Sequence, residues 1–149
     1  MADKTAYICG PLTELSEQEQ KSVKSFYSRI ADVCEGAAGK RAFVPHEHFD
    51  PIKHPSFLPA EVDRVERNQV CNLTSVLIVV AIAPSWGGGI EVEMANNNKI
   101  PVIILHQKGK GISRLLRGNP AVAEIVAYGS EEEALNLLKN KIKTICANI

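Results

Sequence analysis

Apolar positions follow two alternating patterns along the chain. The first is the short unbroken run. Thr5–Cys9, Ser75–Ile82 and Ile100–Leu105 are apolar or β-branched at nearly every position. Strands covered on both faces require such runs, as in a parallel sheet. The second is helical spacing. Val23, Phe26, Tyr27, Ile30 and Cys34 recur every three or four residues behind Ser16 and Glu19, an S-x-x-E capping box. They predict a helix over Glu17–Cys34, ended by Gly36 and Gly39. Val62, Val65, Gln69 and Leu73 mark a second helix, and Ile90–Asn98 reads as a third. Gly111–Arg117 gives one or two turns. Leu135, Leu138, Ile142 and Ile145 follow a second capping box at Ser130 and Glu133 and form a last helix. Arg41–Val44 and Glu124–Tyr128 read as shorter strands. Pro45–Pro59, rich in proline and histidine, reads as a loop.

Strand and helix therefore alternate through five repeats, which predicts an α/β fold. The simplest arrangement is a doubly wound, Rossmann- or flavodoxin-like, five-stranded parallel sheet with helices on both faces. Ligands of such sheets bind beyond the carboxyl ends of the strands. That rule makes Gly10–Ser16, Pro84–Gly89 and His106–Ser113 the candidate site segments.

Length and charge narrow this picture. With 149 residues, 45% of them apolar and 23% charged, the chain reads as a single domain, 1–149, with an ordinary core. Lys plus Arg and Asp plus Glu both number 17, and this balance argues against a nucleic acid polymer or an anionic membrane as partner. No apolar segment of the signal type opens the chain, and Val76–Ala83 is too short to span a bilayer, so a cytoplasmic protein is expected. Cys9, Cys34, Cys71 and Cys146 show no C-x-x-C spacing and are expected to be reduced. His46, His48 and His54 lie close in sequence, but zinc needs a fourth ligand and a set geometry. Solvated loop histidines, or a substrate contact from His46, are expected instead of a metal.

The densest chemistry lies in PSWGGGIEVEMA, Pro84–Ala95. Gly87, Gly88 and Gly89 leave backbone amides bare where a helix begins, and such a mouth attracts anions. The spacing is neither that of a Walker loop nor that of a dinucleotide fingerprint. Glu91 is expected in the first helical turn, where the dipole favours an ionised carboxylate. Two readings of it stand. It complements the dipole alone, or it attacks or stabilises an anomeric carbon. Trp86 either stacks on a base or is buried against the sheet. Arg114 and Arg117 either hold phosphate or are solvated.

AYICGPL at the first strand, PSWGGGIEVEMA after the third and GISRLLRG after the fourth together resemble the nucleoside 2-deoxyribosyltransferase family. The nearest branch is that of the 2′-deoxynucleoside 5′-monophosphate N-hydrolases, and the resemblance spans nearly the whole chain. It implies Glu91 as nucleophile, with Tyr7 beside it. It implies Gly10 where the first loop approaches the sugar, and Ser85 together with the helix-mouth amides of Gly87 and Gly89 at a 5′-phosphate. It further implies that Ser113 completes a neighbouring subunit's site, hence a homodimer or higher homo-oligomer. No cofactor is implied. The family places an aspartate eight residues before the third strand, where this chain has Arg67 with Asn68 beside it. Asn68 can hydrogen-bond a base or sugar but cannot donate a proton as an acid, and Asp63 and Glu66 are possible substitutes. The reading is hydrolysis of a nucleoside monophosphate at its N-glycosidic bond. The alternatives are base exchange by a transferase, or a nucleotide-binding module without turnover.

Overall fold

The computed structural model describes residues 3–148. Four parallel strands, β1 (Thr5–Cys9), β2 (Thr74–Val80), β3 (Val102–Gln107) and β4 (Val122–Tyr128), lie side by side in that order. Among the described residues six helices accompany them: α1 (Glu17–Ala38), α2 (Pro45–Phe49), α3 (Pro59–Leu73), α4 (Trp86–Asn97), α5 (Arg114–Arg117) and α6 (Glu131–Ala147). Among the described residues no helix is long and apolar enough to cross a membrane.

The alternation of side chains along each strand divides the core in two. Ala6, Ile8, Val76, Ile78, Ile103 and Leu105 meet α1 and α6 through Phe26, Ile30, Leu138 and Ile142. Tyr7, Cys9, Leu77, Val79, Val102 and Ile104 meet α3 and α4 through Val70, Val92 and Ala95. Helices thus cover both faces, as the unbroken apolar runs require. The capping box of α1 is present in full, and Gly39, left-handed at φ 78°, closes that helix.

The sheet has four strands where five were expected. The segment Arg41–Val44 pairs with β1 only at Phe43, opposite Tyr7. Phe43 receives a bond from the Ile8 amide and donates to the Ala6 carbonyl. Pro45 then starts α2 at once, in the first helical position that suits proline, so the extended segment has no room to lengthen. The predicted loop Pro45–Pro59 therefore contains a short helix.

Two helices differ in register from the sequence pattern. In α3 the fully buried residue is Val70, while Val65 is exposed, so the inward stripe runs Val62–Glu66–Val70–Leu73. In α4 the helix starts at Trp86, four residues before Ile90, and takes all three glycines into its first turns.

Candidate active site

The carboxyl ends of β1, β2 and β3 bring together the three segments expected to form a site. Two cavities open there, with the N-terminal half of α4 as the wall between them. One, about 490 Å³, is lined by Gly87, Gly88, Ile90 and Glu91 of α4, by Val62 and Glu66 of α3, and by His46 and His54. The other, about 580 Å³, is lined by Gly88, Gly89 and Val92 on the opposite side of α4, with Lys110 and Ser113 across from them. Gly10, Ser85 and Gly88 border both.

Glu91 sits in the second turn of α4 and not in the first, because the helix begins at Trp86. Helix-dipole stabilisation fades beyond the first turn, and the expectation that the dipole keeps Glu91 ionised does not hold. Its side chain is buried, and burial pushes its pKa up. The opposing influence is a donor from β1. The Tyr7 hydroxyl donates to Glu91 Oε1 at 2.5 Å. The Cys9 thiol donates to the Gly88 carbonyl at 3.6 Å. Tyr7 is itself held well above its ordinary pKa, by burial first and by the Glu91 charge next, so its hydroxyl keeps its proton. Its ring stacks on Phe43 at 5.4 Å, and Phe43 stacks on His48 at 4.4 Å. The one-residue remnant of the fifth strand thus buttresses the tyrosine that holds Glu91.

The glycines separate into distinct roles. A Cβ on Gly88 would lie 3.0 Å from Cys9 Sγ and 3.1 Å from Ser85 Oγ, so a side chain has no room. Gly87 and Gly89 face open space. Ser85 caps α4, accepting the Gly88 amide at 3.1 Å. The Gly89 amide is committed to the Ser85 carbonyl at 3.1 Å. Among the described residues, the amides of Trp86 and Gly87 are the uncommitted donors at this helix mouth, beside a Ser85 hydroxyl whose own proton is free to be donated. Gly10 is packed against the ring of Tyr27, whose hydroxyl bonds the Pro11 carbonyl at 2.6 Å, so glycine is required there by packing.

Other expected residues lie elsewhere. Asn68 is exposed, accepts a bond from Asn72 at 2.9 Å and lines neither cavity. Ser113 caps α5 and borders the second cavity, on the far side of α4 from Glu91. Trp86 is 86% exposed, so it is not buried against the sheet, and it lines neither cavity. Arg114 and Arg117 are exposed. Of the three histidines, His46 and His54 face the first cavity, and burial pushes His46 below its ordinary pKa toward the neutral form. Among the described residues no group of three or more His, Cys, Asp or Glu side chains converges as a metal site would require.

Glu66, one of the two possible substitutes for the missing aspartate, stands inward although the apolar pattern placed Val65 there. It faces Glu91's cavity, and burial, the Glu91 charge and the Asp63 charge together push its pKa up to about 7. Arg67, where the resemblance would place an aspartate, is paired with Asp63 at 2.7 Å on the exposed surface.

No family model matches the chain, and no curated protein matches it. Solved structures do. The CMP N-glycosidase BcmB of Clostridium botulinum superposes with a TM-score of 0.61 at 16% identity, over 91% of this chain and 98% of its own. BlsM gives 0.66 at 18% identity, over 97% and 92%. A conserved protein from Enterococcus faecalis V583 gives 0.63 at 16% identity, over 94% and 99%. Over nearly its whole length the chain shares one fold with these three proteins.

Proposed function

We propose that this protein hydrolyses the N-glycosidic bond of a nucleoside or deoxynucleoside 5′-monophosphate, releasing free base and sugar 5-phosphate. One observation carries the reading. Glu91 is a buried carboxylate, held by the Tyr7 hydroxyl at 2.5 Å, and it faces a cavity of about 490 Å³. That volume falls within the range of small-molecule sites, roughly 300–1,000 Å³. Glu91 attacks C1′ and forms a glycosyl ester, which water then opens, as in retaining glycosidases. The partly desolvated carboxylate gains reactivity from the lack of water around it. The 5′-phosphate takes the Ser85 hydroxyl and the open amides of α4, which suits a chain of zero net charge. The shared fold with a protein described as a CMP N-glycosidase supports the same chemistry. The reading calls for no cofactor.

The chain acts as a homodimer or larger assembly in this reading. Trp86 and Leu115, 86% and 88% exposed, flank the helix mouth and α5, and a second copy would cover them. Ser113 of that copy would then complete the phosphate site. A fully active monomer in sedimentation would remove this part.

The test is incubation with a panel of ribo- and deoxyribonucleoside monophosphates, with free base detected by chromatography. Base release that Glu91→Ala abolishes while the fold stays intact is expected. Exchange only when a second base is supplied would assign transfer in place of hydrolysis. Binding without release of base would leave a nucleotide-binding module.

A further inference from the structure

We propose that Glu66 is the proton donor to the departing base, acting across the cavity from Glu91. The inference rests on the reading above and deepens it.

The placement follows from α3. Val62, Glu66 and Val70 recur at one-turn intervals, and α3 packs on α4. Val70 is fully buried beneath the sheet. Glu66, one turn nearer the strand ends, therefore comes out at the cavity wall, where Val62, Glu66 and Glu91 share the lining. Among the described residues its carboxyl has neither a hydrogen-bond nor an ion-pair partner. The nearest cation along the helix, Arg67, is occupied by Asp63.

The surroundings decide which carboxyl holds a proton. The groups around Glu66 are Asp63 and Arg67 of α3, Glu91 of α4, Tyr7 of β1, and Glu14, His46 and His54 on the facing walls. Burial comes first, and the negative charges of Glu91 and Asp63 then hold Glu66 protonated up to about pH 7. Glu91 has the Tyr7 hydroxyl as donor to its anion, and Glu66 has no such donor. One proton divided between the two carboxyls therefore resides on Glu66. Two carboxyls made unequal by their surroundings take the roles of acid and nucleophile.

The step balances. Glu91 forms a bond to C1′ as the C1′–N bond breaks, and its electron pair leaves on the base nitrogen. Glu66 gives that nitrogen its proton and becomes a carboxylate. Water then attacks C1′, its proton passes to Glu66, and the ester oxygen returns to Glu91 as carboxylate. Both groups are restored.

The experiment compares two leaving groups. One is the base of the best nucleotide found in the panel. The other is 4-nitrophenol on the same sugar 5-phosphate, which departs as the phenolate without help from an acid. Read as the single-turnover rate of leaving-group release, before water opens the shared glycosyl ester, Glu66→Gln is expected to lower release of the base by about 10²–10⁴-fold and to keep release of nitrophenolate within about tenfold of wild type. The fall in nucleotide rate near pH 7 should disappear with it, and Glu66→Asp should recover part of the loss. An equal loss on both substrates, or an unchanged pH profile, overturns the proposal. Loss of both activities in Glu91→Gln alone separates the nucleophile from the acid. A wild-type chain that cleaves neither substrate refutes the N-glycosidase reading, and the role of Glu66 falls with it.

Discussion

Replacing Glu66 by glutamine removes one ionisable group from the cavity wall and keeps its size, so the consequence is readable in stability as well as in catalysis. In the folded chain the carboxyl titrates at about 7, against an ordinary 4.5, because burial and then the charges of Glu91 and Asp63 disfavour its anion. The folded state thus binds this proton more tightly than the unfolded state does. The stabilisation from the proton is complete below about 4.5 and is lost as pH rises through about 7. Each pH unit between those values is worth about 1.4 kcal/mol, so the full interval amounts to about 3 kcal/mol. Solvent entering the open cavity lowers this to roughly 1–3 kcal/mol.

Glutamine cannot ionise, so the variant escapes the loss. Urea unfolding of both proteins at pH 4, 6 and 8 should show Glu66→Gln gaining on wild type by roughly 1–3 kcal/mol between pH 4 and pH 8. In thermal unfolding each kcal/mol should appear as about 2–4 °C in a chain of this size. A difference between the two proteins that does not change with pH would refute the reasoning. It would mean that the Glu66 carboxylate is as well solvated folded as unfolded, and a group solvated to that degree would not hold a proton for a leaving base. Stability sacrificed at neutral pH is what an acid kept protonated inside a cavity entails.

Other outcomes follow from the same geometry. Tyr7→Phe removes a donor that favours the Glu91 anion, so the acid limb of kcat/KM should move to higher pH. A bond to a charged group is worth about 1.5–3 kcal/mol, or about 1–2 pH units, and an unmoved limb would separate Tyr7 from the ionisation of Glu91. Gly88→Ala forces a methyl to within 3.0 Å of Cys9 Sγ and should destabilise by about 1–3 kcal/mol in chemical denaturation. Gly87→Ala meets open space and should instead stabilise α4 by about 0.5–1 kcal/mol while lowering nucleotide affinity; a variant that binds nucleotide normally would remove Gly87 from the site. Asp50 is 1% exposed. Although burial raises its pKa, the Lys24 ammonium at 2.6 Å and the Ile52 and Lys53 amides carry it down to about 2 from an ordinary 3.8. Its stabilisation of roughly 2–3 kcal/mol is present above about 3.8 and is lost as pH falls through about 2. Asp50→Asn should therefore weaken the fold at pH 7 and not at pH 2. An equal loss at both would place the effect in packing.

The strands were legible because a strand buried on both faces leaves an unbroken apolar run, and β1 lies where that run places it. The fifth strand was not, because its end depends on Pro45 starting a helix, and a Pro after an apolar triplet reads equally well as a loop. The stripe on α3 was misread by one residue. Val65 is apolar and marks a plausible inward face, yet it is exposed, while the charged Glu66 points inward. A periodicity built on apolar residues cannot find a buried carboxylate. That is why the resemblance could propose Tyr7, Glu91, Gly10 and Ser85 from short motifs, and could name Asp63 and Glu66 as possible acids, whereas choosing Glu66 between the two required the packing of α3 against α4. Phe43 was hidden for a similar reason, since its stacking on Tyr7 joins segments that are adjacent only across β1.

The start of α4 changes the physical account of Glu91 more than any other difference. With the helix beginning at Ile90, the dipole would hold the carboxylate ionised and the glycines would be a turn. With the helix beginning at Trp86, the glycines are its first turns, and the mouth lies one turn away from Glu91. Gly87 and Glu91 then stand on the same face, four residues apart, and both line the first cavity. One helical turn rises about 5.4 Å, the scale of a pentose ring with its 5′ carbon. In the proposed reading, an anion bound at the Gly87 amide and an anomeric carbon presented to Glu91 therefore suit one sugar phosphate lying along α4. In that reading the dipole serves the phosphate, and the Glu91 anion depends on the Tyr7 hydroxyl in its place. Binding and reactivity thus rest on different strands and turns, so a substitution at Tyr7 should alter the pH dependence of turnover while one at Ser85 should alter affinity for the phosphate.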